Sequence, residues 1–287
     1  MLVSMKYLLD KAKDADFAIG AFNATELALV RSVVEQAEES DSPAIIEASA
    51  GEFEFVTKDF YKYVIERCKD SRVPFALHLD HGHTVEECVR AIQAGFTSVM
   101  IDGSTLPYEE NVALTKKVVE IAHAAGVTVE GEIGTIGAIG NSDEGGVTNI
   151  TYTRPEDVVD FVEKTGVDCL AIAIGTAHGI YPKGYTPKLQ LELLEEIKKI
   201  APVPLVLHGG SNNPDDEIAK ACKIGIAKVN ISSDIKYAYF KKLDEVYKET
   251  GGFVPAKVMG PAIVDTKAVV KNKMELFNSV GKASLYR

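Results

Sequence analysis

Eight short apolar runs recur along this chain, each followed by a segment of helical periodicity, and this alternation constrains its fold more than any other feature. The runs are DFAIGAFN (16–23), SPAIIEAS (42–49), VPFALHLD (73–80), TSVMIDGS (97–104), VTVEGEIG (127–134), DCLAIAIG (168–175), VPLVLHGG (203–210) and AKVNISS (227–233). Short, β-branched and nearly continuous in their hydrophobicity, they read as buried parallel strands. Between them, ELALVRSVVEQAEES (26–40) spaces Leu27, Val30, Val34 and Ala37 by threes and fours. TVEECVRAIQAG (84–95) opens on a capping box, Thr84 with Glu87, and closes on glycine. RPEDVVDFVEKTG (154–166) and NPDDEIAKACKIG (213–225) repeat this grammar, proline near the start and glycine past the end.

Eight strand–helix units are the count of a (β/α)8 barrel, an α/β fold of the TIM type. The rival is a doubly wound sheet, which usually carries a glycine-rich loop after its first strand; here that position reads GAFNATE, and GxGxxG is absent from the chain. A length of 287 residues suits one such barrel, a single domain over 1–287. Residues 251–263 (GGFVPAKVMGPAI) read as a loop, and 265–281 as a terminal helix outside the barrel count. With 31 Lys+Arg against 42 Asp+Glu, the net charge of −11 disfavours general nucleic-acid binding. No apolar stretch suits a membrane span, and the N-terminus lacks the apolar core of a signal peptide. The four cysteines show no paired short spacing, so neither a disulfide framework nor a cysteine zinc site is expected, and a reducing cytoplasm is the simplest compartment.

Strand alternation then sorts side chains between the helices and the barrel interior. In VPFALHLD, Phe75, Leu77 and Leu79 face the helices, leaving Ala76, His78 and Asp80 inward with His81 next. The same rule turns Glu130, Glu132, His208, Asn230, Ser232 and Asp102 inward. These polar residues gather at the C-terminal ends of their strands, the catalytic face of such barrels. Burying that many carboxylates and imidazoles is costly unless they pair or bind a metal. Five of the six histidines (His78, His81, His83, His178 and His208) lie at these ends, whereas His123 falls on a helical segment. Three imidazoles with an open fourth position make a catalytic zinc site.

HLDHG (78–82), IGTAHG (174–179), LVLHGGS (205–211) and KVNISSD (228–234) resemble the motifs of the class II, metal-dependent fructose/tagatose-bisphosphate aldolases, over nearly the whole chain. The resemblance implies Zn2+ held by His81, His178 and His208, with Asp80 as the catalytic acid–base and His78 supporting it. Glu132 and Asp102 match an alternative metal position. Gly179, Gly209, Ser211, Asn230, Ser232 and Ser233 match the positions that hold the dihydroxyacetone phosphate half, with Asn23 and Ser49 as further substrate contacts; Lys183 could add charge, although the family often puts Lys directly after the Tyr and here Pro182 intervenes; a monovalent cation near the phosphate is also allowed for. The implied reaction is reversible retro-aldol cleavage of a phosphorylated ketose by a homodimer or homotetramer.

Two further departures bear on that resemblance. TIGAIGNSDEGGVTN (135–149) is longer than the family's glycine–glycine–acid pattern, so either Asp143 or Glu144 could exchange the donor proton. After the strand-eight Asn stands Ser232, where fructose enzymes often carry Asp and tagatose enzymes Ala, so the sugar stays open. Lys228 keeps a Schiff-base aldolase in view, and the same barrel could also serve a metal-dependent isomerase or a non-catalytic sugar-phosphate sensor.

Overall fold

In a computed structural model, which describes residues 1–139, 146–147, 150–179, 181 and 187–287, each apolar run overlaps a strand of one barrel. In chain order the strands are β1 (Ile19–Asn23), β2 (Ala44–Ser49), β3 (Phe75–Gly82), β4 (Ser98–Ile101), β5 (Thr128–Ile133), β6 (Gly137–Ala138), β7 (Cys169–Ile172), β8 (Ala177–His178), β9 (Leu205–Leu207) and β10 (Ile226–Ile231). All but β6 and β8 close into a parallel barrel whose strands follow one another in sequence order, with β10 pairing back onto β1. The two short strands pair with each other. The helices are α1 (Met5–Asp14), α2 (Leu27–Ser40), α3 (Ala50–Lys69), α4 (Val85–Gln93), α5 (Tyr108–Ala124), α6 (Pro155–Thr165), α7 (Leu191–Ile200), α8 (Asp215–Ile224), α9 (Ser233–Thr250) and α10 (Pro255–Leu276).

The alternation divides the apolar residues into two cores. Phe75, Leu77, Leu79, Val99, Val129 and Val229 pack outward under the helices. Inside the lower barrel sit smaller residues, Ala21, Ala76, Ala171 and Ala227, with Ile19, Ile45 and Val206. Met5, Leu8, Leu9 and Ala12 of α1 press onto this inner set, so α1 plugs the N-terminal mouth. Their spacing of three, one and three is the stripe of an amphipathic helix. Ser4 caps α1 by accepting the Tyr7 N–H. Each large side chain buried there contributes roughly 1.5–3 kcal/mol.

The predicted capping box at Thr84 and Glu87 forms in full, and Glu87 also accepts the His83 N–H at 2.7 Å. Leu27 departs from its expected buried stripe: it sits half-exposed in the first turn of α2, while Val30, Val34 and Ala37 are buried. The C-terminal extension differs more. Residues from Pro255 onward are helical rather than a loop, and α10 ends at Leu276, before a short 3-10 turn, Lys282–Tyr286. Pro255 starts the helix where its missing N–H costs nothing. Pro261, in the interior, forgoes one hydrogen bond, a cost of about 3 kcal/mol. Burial of Ala262, Ile263, Val270 and Met274 against the main core offsets it.

Candidate metal centre and active site

At the C-terminal end of β3 the parallel register with β4 shifts between Leu79 and Gly82. His81 takes a left-handed backbone, φ 47°, which is uncommon outside glycine. This irregularity lets two consecutive residues, Asp80 and His81, both reach the barrel mouth, where strict alternation would send one of them outward. Such local strain is held by its surroundings at sites of function.

The nitrogen atoms of His81, His178 and His208 converge so that one ligand atom from each lies within 4.8 Å of the others, and all three side chains are buried. The His81 ring meets that of His178 edge-on at a centroid distance of 4.8 Å and that of His208 at 4.6 Å. His208 Nδ1 stands 2.8 Å from His81 Nε2. Two of the rings are held from behind by carboxylates. His81 Nδ1 is 2.8 Å from Asp102 Oδ2, and His208 Nε2 is 2.7 Å from Glu130 Oε1. A carboxylate on the far nitrogen fixes the tautomer and turns the remaining lone pair toward a metal. His81 thus offers Nε2 and His208 offers Nδ1.

Asp80 lies between the rings and two amides. Asn230 donates to its Oδ1 at 2.9 Å and Asn23 to its Oδ2 at 3.4 Å. Its Oδ1 is 3.8 Å from His81 Nε2 and 3.9 Å from His208 Nδ1. Burial alone would raise its pKa; the neighbouring His81, His208 and Lys228 outweigh that and bring it to about 2. Burial pulls His81 down, but Asp80 and Asp102 raise it well above the usual imidazole range. His208 is driven well below that range by burial and by the charge of His81. Glu132 is buried, and burial together with Asp102 pushes its carboxyl well up. Its Oε2 has no hydrogen-bond partner among the described residues, and it forms a second convergent group with His81 and Asp102. Both sets suit a divalent metal: borderline nitrogen donors with an adjoining orphaned carboxyl oxygen.

The loops after β9 and β10 are tied together. The Ser211 hydroxyl accepts the N–H groups of Ser232 and Asp234 at 3.2 and 3.3 Å. Gly209 has φ 62°, and a Cβ there would lie 2.7 Å from the Ala177 carbonyl oxygen. The N–H of Gly210 donates to the Asn230 carbonyl at 3.0 Å, so it closes the loop onto β10. Ser232 precedes Ser233, the first residue of α9, which brings a helix N-terminus beside Ser211. Gly179 follows His178 with φ 101°. Ser49 caps α3, and its hydroxyl lies beside the Glu52 carboxylate, which also accepts from Asn23 at 3.2 Å. A cavity of about 240 Å³ lined by Ser49, Gly51, Glu54, His81, His83 and Glu87 opens beside the histidines. His83 is exposed at its rim, and His123 lies away from the cluster, 2.9 Å from Asp168. Lys183, Asp143 and Glu144 lie outside the described residues.

Beneath the histidines lies a polar layer that strand alternation alone does not connect to a metal. Lys228 Nζ sits 3.0 Å from Glu130 and 3.5 Å from Glu47, all three fully buried. The His78 ring is 2.8 Å from Ser98 Oγ, with its other nitrogen 3.7 Å from Glu130. Burial opposes the charge on Lys228, yet Glu130 and Glu47 raise its pKa above the ordinary value. A signal for this layer exists in the sequence: Glu47, Glu130 and Lys228 are charged residues set in largely apolar runs.

Residues 3–282 match the family described as fructose-bisphosphate aldolase, class II. A fructose-bisphosphate aldolase of Geobacillus stearothermophilus is 41% identical over 290 residues, covering 99% of each chain. That of Thermus caldophilus is 39% identical over 305 residues, covering 99% of this chain and 100% of its own. The crystal structure of the YdjI aldolase from Escherichia coli K12 superimposes with a TM-score of 0.86 at 33% identity, covering 99% of this chain and 100% of that one.

Proposed function

This chain belongs to the class II fructose-bisphosphate aldolase family, metal-dependent aldehyde-lyases that cleave a phosphorylated ketose by a retro-aldol reaction, and on that premise we propose how its residues do so. The metal would be zinc, which His81, His178 and His208 would hold, with Glu132 and Asp102 able to provide an alternative position. The observation that carries this reading is the convergence of three buried imidazoles on one point beside a buried, ionised Asp80. Zinc bound there would supply Lewis acidity toward the substrate's carbonyl oxygen.

Asp80 takes the proton of the C4 hydroxyl in cleavage and returns it in condensation. Asn230 and Asn23, donating to its two oxygens, hold the carboxylate in place for that transfer. The dihydroxyacetone phosphate half lies over Gly179, Gly209, Ser211, Ser232 and Ser233, where the N-terminus of α9 favours an anion, with Lys183 as a further contact. The aldehyde half extends toward Ser49. Asp143 or Glu144 exchanges the donor proton. The substrate is a ketose 1-phosphate or bisphosphate of the fructose or tagatose series, and the enzyme works in the cytoplasm as a homodimer or homotetramer.

A Schiff-base route through Lys228 is disfavoured by its two buried carboxylate partners, which keep the amine protonated and without a free lone pair. The decisive experiment assays a panel of ketose mono- and bisphosphates for triose-phosphate release with metal-stripped and zinc-reloaded protein. Cleavage is expected to vanish on stripping and return with zinc. Full activity after exhaustive chelation, a lysine adduct trapped by borohydride, or isomerised sugar in place of two fragments would each reject the reading.

A further inference from the structure

Among the described residues, the Lys228 ammonium is fully buried and pairs with Glu130 of β5 and Glu47 of β2. An ammonium so placed is costly to desolvate, and its carboxylate pairs must offset that cost. Its nearest partner is Glu130 Oε2 at 3.0 Å, while the other oxygen of the same carboxylate meets His208 Nε2 at 2.7 Å. One carboxylate thus bridges a fixed cation and an imidazole, and the imidazole's remaining nitrogen, Nδ1, points to the cluster, 2.8 Å from His81 Nε2. The Cys169 thiol and His78 also approach Oε2, at 3.7 Å each, so Oε2 is crowded while Oε1 serves His208 alone among the described residues.

We propose that Lys228 is a positioning residue for the metal centre: through Glu130 it locks His208 in the tautomer and orientation that present Nδ1, and so sets zinc affinity without touching the metal. This rests on the zinc-aldolase reading. Removing Lys228 frees the Glu130 carboxylate to rotate, and His208 loses its fixed acceptor. Partners of this kind typically change metal affinity by about 10–100-fold. Glu47, on the other side of the ammonium at 3.5 Å, converges with His78 and Asp80 rather than with His208.

The test measures zinc affinity of metal-free protein by competition with a chromophoric chelator, and the visible spectrum of the cobalt(II) form, without substrate. Lys228→Met and Glu130→Gln should each weaken zinc binding by about 10–100-fold and alter the cobalt band. The double variant should bind no more weakly than the weaker single, because both changes break one relay. Glu47→Gln should bind zinc within about twofold of the parent if the relay alone matters. Should Lys228→Met fail to fold, the charge-balanced double variant is compared with Glu130→Gln alone, and equal affinities support the relay. Parent-like affinity and cobalt spectrum in folded Lys228→Met, or strictly additive losses in the double variant, would overturn it. A parent chain that takes up no zinc would overturn the aldolase site itself, a result distinct from either.

Discussion

The two mouths of the barrel are built from the same strands by opposite chemistry. At the N-terminal mouth, Ala76 of β3 and Ala227 of β10 leave room for Met5, Leu8 and Leu9 of α1, and the fit is apolar. Further along the same two strands stand Asp80 and Asn230, and the C-terminal mouth is held by pairings such as Asn230 to Asp80. Packing at one end tolerates no cavity. Pairing at the other end requires that every buried charge have a partner or a metal. Between them, Lys228, Glu130, Glu47 and His78 form a layer that is buried like the first and polar like the second. Stability and chemistry are therefore separable along a single strand.

The largest expected effect breaks the comparison at the polar end. Asp80→Asn keeps the shape and the amide neighbours but removes the proposed proton acceptor. Turnover should fall by about 10²–10⁴-fold, the range for loss of a general base. The protein should still fold, since a buried carboxylate is replaced by a neutral group of the same size. Steady-state cleavage rates with far-UV circular dichroism check both halves; turnover within about tenfold of the parent would move the proton transfer to another residue.

At the apolar end the effect should be on stability alone. Leu9 is fully buried against the inner core, and Leu9→Ala leaves a cavity that the rigid strand ends close only in part. The expected loss is about 2–5 kcal/mol, read by urea denaturation. Well below the melting transition, turnover should stay within about twofold. A variant of undiminished stability and impaired turnover would show that the plug communicates with the mouth, and the two ends would no longer be separable.

Which parts are legible in the sequence follows from the same contrast. Every barrel strand overlaps its apolar run, because burial on both faces leaves a run with few other conformations. The inward placement of Glu130, Glu132 and His208 follows from period-two alternation. That of His81 does not, since it depends on a register shift that no period records. The partnership of Glu130 and Lys228 is hidden because the two residues, 98 positions apart, meet only when the barrel closes. The stripe of α1 is plain in the sequence, but a helix ahead of the first strand falls outside the count of strand–helix units, and nothing local says which mouth it covers. Over residues 255–263, Gly260 and Pro261 favour a loop, and tertiary packing overrides that preference.

The smallest effect tests whether the rim of the polar mouth is stabilised independently of its chemistry. Thr84 accepts the Glu87 N–H at 3.2 Å, and Glu87 returns to accept the N–H groups of Thr84 and His83 at 2.9 and 2.7 Å. This box starts α4 shortly after His81, and so it anchors the chain leaving the proposed metal centre. Thr84→Ala removes one half of it and should cost about 1 kcal/mol. Because Glu87 still holds the two N–H groups nearest β3, zinc affinity should change by less than about threefold, below the range expected for Lys228→Met. A larger loss of zinc, at unchanged global stability, would mean that the left-handed backbone at His81 is secured from the helix side rather than by Asp102, and the rim would then belong to the site.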